Sequence, residues 1–124
     1  ILNGCIFGLV GLYEYLLVTG DPHDLFIKLV DSLEKNIWRY DLGYWSRYDL
    51  FYKRPARITY HLLHIEQLRW LSKVTRRKSF TEVYERWLEN VNRTMPLIKL
   101  AIERLKYKSL LLLRKIKKVT PLAS

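Results

Sequence analysis

From Ile1 to Thr19 the chain carries one charged residue, Glu14, among side chains that are nearly all apolar. Such a run has two physical outlets. As a helix rising ~1.5 Å per residue it falls just short of a ~30 Å bilayer core; alternatively, it packs as a buried helix inside a folded core. Glu14, the glycines at 4, 8 and 11 and the short span favour the buried helix over a membrane segment. Gly4-x-x-x-Gly8 then predicts close approach of a neighbouring helix. The run lacks a basic leader and a cleavage signature, so it does not read as a signal peptide.

Helical spacing continues downstream. Gly20 stops the first helix, and Asp21-Pro22 predicts the start of the next, with Asp21 as N-cap and Pro22 in the first turn. Leu25, Phe26, Leu29, Val30, Leu33 and Ile37 then recur on one stripe to about Arg39. The segment from Tyr40 to Pro55 breaks the pattern: it is dense in aromatics around Gly43 and predicts a loop with one short hairpin or extended pair. A third helix is predicted over Ile58 to Val74, with Leu62, Ile65, Leu68 and Leu71 facing the core. Ser79 and Glu82 have the spacing of a capping box that opens a fourth helix, with Val83, Trp87 and Val91 inward. Pro96 predicts the start of a fifth helix, reaching about Val119. The expected fold is all-α: antiparallel helices forming part of an α/α barrel-like domain, with one aromatic loop. The expected organisation is a helical domain over 1–93 and a basic amphipathic helix over 94–124.

Charge sorts the partners. The net charge of +10 favours an anionic partner. From Thr94 onward Lys99, Arg104, Lys106, Lys108, Arg114, Lys115, Lys117 and Lys118 face only Glu103, so +7 of that excess lies in the last segment. Packing on other domains, an anionic membrane surface met by 96–119 and an acidic polymer are the three readings of this segment. No nucleic-acid fold signature occurs, so nucleic acid is not an expected partner. Cys5 is the lone cysteine, which excludes an internal disulfide, and its apolar surroundings predict a small buried side chain. His61 and His64 are three apart, but the sequence places no third ligand beside them, so no metal is expected. No phosphate loop or zinc motif is present, and no cofactor is expected.

Two segments stand out as chemistry. One is Tyr40-Asp41-x-Gly43 with Tyr48-Asp49-Leu50; the other is Tyr60-His61-x-x-His64-Ile65-x-Gln67-Leu68. On a helix Tyr60, His64 and Gln67 share a face, an arrangement suited to a cleft wall. Asp41 and Asp49 read as turn caps. Together with Leu2-Asn3-Gly4, these motifs resemble, in order, the C-terminal domain of the D-glucuronyl C5-epimerase family, over about Ile1 to Asn92.

The resemblance implies inversion of C5 in glucuronic acid units of heparan-type chains, without a redox cofactor. It implies tyrosines acting as acid and base across the sugar, at positions matching Tyr48 and Tyr60. It implies substrate contact by Asn3, an orienting or substrate-binding role for His64, and a third tyrosine in a Glu-Tyr-Pro segment that would precede Leu2-Asn3-Gly4. Where animal members have an arginine after Tyr-Asp-Leu this chain has Phe51, so Arg54 or Arg57 is expected to supply the cation. Phenols on opposite walls of a cleft, with cations lowering the pKa of one, would meet the geometric need. Expected partners are an acidic polysaccharide substrate, further N-terminal domains of the same protein, and a homodimer. The alternative is a non-catalytic helical module that binds acidic glycans or packs on partner domains. The chain alone is expected to be inactive. Its compartment is left open: the Golgi lumen for an animal member, the cytoplasm or cell surface for a prokaryotic one.

Overall fold

The computed structural model describes residues 1–119. They form four helices: α1 (Leu2–Thr19), α2 (Asp24–Tyr40), α3 (Ile58–Thr75) and α4 (Lys78–Val119). Among the described residues there is no strand, so the all-α expectation holds. The chain divides into two units, Ile1–Asn90 and Val91–Ser124.

In the first unit α1 packs against both α2 and α3; the described helices do not display a barrel wall. α1 buries Leu2, Ile6, Leu9 and Leu16 only. Phe7, Leu17 and Val18 are exposed, so the helix covers one face and is not enclosed as expected. By length and composition alone it is apolar enough to cross a membrane. No atom lies within 4 Å of where a side chain would begin at Gly4 or Gly8, so the glycine pair does not mediate close helix packing. Cys5, expected inside, is exposed. The helix ends as expected: Gly20 sits at φ 70, and its N–H donates to Leu16 O at 2.9 Å, a left-handed closure that glycine adopts without Cβ strain.

The α2 start differs from the sequence reading. His23, not Asp21, is the N-cap residue, and the Asp21 carboxylate instead accepts from Tyr15 Oη at 3.2 Å. The buried side of α2 is Phe26, Val30, Leu33, Ile37 and Tyr40, while Leu25 and Leu29 are exposed. In α3, Ile65, Leu68 and Leu71 are buried as expected, but Leu62 is exposed and His61 and His64 take the inward places.

The capping box at Ser79 does not form, because the Ser79 hydroxyl donates to Glu34, which Arg77 also bonds. Arg77 bridges Asp31 at 2.6 Å as well, tying the α3–α4 turn to α2. The Ser79 hydrogen bond and the nearby Arg77 charge outweigh desolvation and hold the Glu34 carboxyl below the usual range. Phe80, Val83, Trp87 and Val91 are buried. Pro96 does not open a separate helix: it lies inside α4, so the expected fourth and fifth helices are one. The apolar spacing through Val91, Met95, Ile98 and Ile102 continues in register across the proline, with no glycine to break it.

Candidate functional site

The aromatic segment between α2 and α3 is held by two isolated antiparallel bridges, Asp41 with Ser46 and Arg47 with Pro55. That is the short extended pairing expected of it. Asp41 caps its turn through Gly43 N at 2.7 Å, and also accepts from Trp87 Nε1 at 2.8 Å and from Arg86. Trp45 donates to Ala56 O at 2.7 Å and stacks on the His61 ring, with centroids 3.7 Å apart. Trp45 thus fastens the loop to α3, whereas Tyr44, Phe51 and Tyr52 are exposed.

At the centre of that fastening is Ser46, fully buried together with His61 and His64. Its Oγ lies 2.8 Å from Nδ1 of both histidines, and its backbone N–H donates to His61 Nδ1 at 3.1 Å. A backbone donor fixes His61 Nδ1 as an acceptor. The assignment that makes every close approach attractive is His64 Nδ1–H to Ser46 Oγ, and Ser46 O–H to His61 Nδ1. Both Nε2 atoms are buried without a hydrogen-bond partner among the described residues. Burial penalises the imidazolium and drops the pKa of each to about 4, with the neighbouring His61 adding to the effect at His64. Both rings are therefore neutral near pH 7.

This lock places the predicted tyrosines. Tyr48 lies two residues beyond Ser46, and Tyr60 directly precedes His61. The Tyr48 backbone is pinned on both sides: its N–H donates to Arg54 O at 2.8 Å, and its carbonyl accepts from Leu2 N at 3.3 Å. Tyr48, Arg54, Pro55, Arg57 and Tyr60 line one cavity of about 370 Å³, within the ~300–1,000 Å³ usual for ligand clefts. The two phenol rings do not stand apart on opposite walls as the sequence reading expected. They meet edge to face, with centroids 4.8 Å apart. Arg54 is held beside the cavity by Asp49 at 3.2 Å and lies over the Tyr52 ring at 4.8 Å. Burial works against the Asp49 charge, but the Tyr52 N–H and the Arg54 guanidinium outweigh it and keep the carboxyl below its ordinary range. Arg57 is exposed at the N-cap of α3.

Asn3 and His64 stand elsewhere. The Asn3 backbone carbonyl accepts from Gln67 Nε2 at 3.1 Å, while its side-chain Oδ1 and Gln67 Oε1 are buried without partners among the described residues. His64 is enclosed and does not line that cavity; its Nδ1 bonds the Ser46 hydroxyl. Ser46 is the participant that sequence reasoning missed. A serine in an aromatic loop carries no signal until its histidines, 15 and 18 residues away, are seen beside it. A second hollow of about 490 Å³ lies between α1 and α2, floored by Gly4 and Gly8. Among the described residues no group of three or more His, Cys, Asp or Glu side chains is placed to hold a metal ion.

The sequence matches a known family. The family model for the D-glucuronyl C5-epimerase C-terminus matches residues 1–89. The curated D-glucuronyl C5-epimerase of Caenorhabditis elegans is 25% identical over 108 residues, covering 71% of this chain. The chain spans 18% of the length of that relative. No solved structure matches the chain significantly. With a family match across most of its length, the chain belongs to the D-glucuronyl C5-epimerase C-terminal family.

Proposed function

We propose that this chain is the C-terminal catalytic portion of a polysaccharide uronic acid C5-epimerase, with Tyr48 and Tyr60 exchanging the C5 proton and Arg54 and Arg57 holding the substrate carboxylate. The observation that supports this reading most is the convergence of those four side chains on one open cavity. Two phenols and two guanidinium groups at a shared hollow suit an acidic sugar better than an apolar ligand.

The chemistry balances without a cofactor. One phenolate takes the C5 proton, breaking the C–H bond, and the electron pair moves into the adjacent carboxylate. Negative charge grows there, and a preorganised cation stabilises it more than it stabilises the ground state. The other phenol returns a proton to the opposite face of C5, and the stereocentre inverts. Because inversion needs a base on one face of C5 and a proton donor on the other, a pyranose must enter between the rings, and the edge-to-face contact of Tyr48 and Tyr60 opens when it does. His64 acts as an orienting group through Ser46, and Asn3 contributes a polar group near the point where α1 meets the Tyr48 carbonyl.

The test is solvent exchange. A glucuronic acid polymer incubated in deuterated water with the complete protein carrying this chain gains deuterium at C5. Tyr60→Phe abolishes the exchange and leaves the fold intact. Full exchange in that variant removes Tyr60 from the mechanism. The rival reading, a non-catalytic module binding acidic glycans, expects polymer binding with no exchange. The half-exposed phenols at the cavity favour the enzyme, since a packing role would bury both against apolar neighbours.

A further inference from the structure

We propose that the face of α4 carrying Met95, Ile98, Ile102, Leu105 and Leu112 binds the surface of a phospholipid bilayer with anionic headgroups. Every described side chain from Asn92 to Lys117 is exposed. In water such a helix keeps its shape poorly unless something covers its apolar side. The five named residues recur at helical spacing, and at ~3.6 residues per turn they form one stripe along the axis. Lys99, Lys106 and Lys117 border one side of that stripe, and Lys108 and Lys115 border the other. The one acidic residue from Thr94 on is Glu103, which lies 3.7 Å from Lys106.

A partner must therefore be apolar at its centre and negative at both margins. An acidic polysaccharide answers the lysines but leaves the stripe in water. A second copy covers the stripe but brings lysine rows against a segment of like net charge, which is unfavourable. Leu110 to Leu113 also place leucines around most of the helix circumference, more than one partner helix can cover. An anionic bilayer interface takes the stripe into its acyl boundary and lets lysines on both flanks reach up to the headgroups. The inference is independent of the chemistry at Tyr48 and Tyr60.

Vesicle co-sedimentation of the full chain tests it, comparing phosphatidylcholine alone with phosphatidylcholine mixed with phosphatidylglycerol. Binding to the mixed vesicles is expected to be at least ~10-fold tighter and to weaken as salt rises. Leu105→Asp with Ile102→Asp abolishes it, and Lys108→Glu with Lys115→Glu weakens it by about tenfold or more. These positions are exposed, so an unchanged thermal transition of the chain certifies the variants. Leu17→Asp, on the exposed side of α1, leaves binding unchanged. Equal binding to neutral vesicles overturns the proposal, as does loss in Leu17→Asp with none in the Leu105 variant. A monomer–dimer equilibrium without vesicles that Leu105→Asp removes gives the face to a second copy. Saturable binding to a glucuronic acid polymer that Lys108→Glu abolishes, with none to mixed vesicles, gives it to the polymer. Both results overturn the lipid assignment.

Discussion

Ser46 shows how one hydroxyl organises a site. A buried imidazole is costly unless its nitrogens are satisfied, and here one oxygen serves two rings. Ser46→Ala leaves His64 Nδ1 without its partner and His61 Nδ1 with only the backbone N–H of residue 46, and is expected to cost ~1–3 kcal/mol, read as a lower urea midpoint. The same pair makes the chain acid-sensitive. Each histidine titrates near 6.5 when unfolded and at about 4 when folded. The unfolded chain therefore binds protons first as pH falls. This part of the stability is complete above pH 6.5 and lost progressively toward pH 4. A denaturation midpoint that stays flat between those values would contradict the burial of both rings. Motif and charge singled out Tyr48, Tyr60, Arg54 and Arg57 in the sequence, and the four line one cavity. The sequence also made the turn-capping of Asp41 and Asp49 legible, since an Asx turn is a local matter. The Ser46 bridge was not legible, because it joins a loop to a helix by a tertiary contact that no spacing rule encodes.

At the scale of elements, local signals performed unevenly. Gly20 ended α1 where its lack of a Cβ demands, and Gly20→Ala is expected to cost ~1 kcal/mol through its φ of 70, measurable as a lower thermal midpoint. The α2 and α4 starts went differently because Asp21 and Ser79 found tertiary partners, Tyr15 and Glu34, in place of their own helix ends. α1 was read as enclosed from its composition, but composition cannot say how much apolar surface the neighbours will cover. Pro96 misled more sharply. A proline opens helices readily, but it is also tolerated inside one at a loss of ~3 kcal/mol relative to alanine. Pro96→Ala restores the donor to the Asn92 carbonyl and is expected to slow amide exchange from Leu97 to Leu100. Unchanged exchange there would mean that the helix is already interrupted at 96.

For the whole molecule, the two units divide the charge as well as the chain. The first carries the cavity and the family match, and the second carries most of the net positive charge. All-α character followed from apolar spacing, whereas the relation of the helices to a barrel depends on surfaces that four helices do not display. The family motifs connect residues far apart in sequence, and Tyr48, Arg54, Arg57 and Tyr60 gather at one cavity because the Ser46 lock and the backbone bonds of Tyr48 bring loop and helix together. Arg54→Ala in the complete protein is expected to raise the KM for polymer and to lower kcat, since the cation serves the carboxylate in both ground and transition states. The most direct measurement follows the label. Mass spectrometry or proton NMR of a glucuronic acid polymer turned over in deuterated water should find deuterium at C5 and iduronic acid units, both absent with Tyr60→Phe. Polymer that binds to the protein, yet keeps its C5 protons and its configuration, would contradict the proposed role of the two phenols.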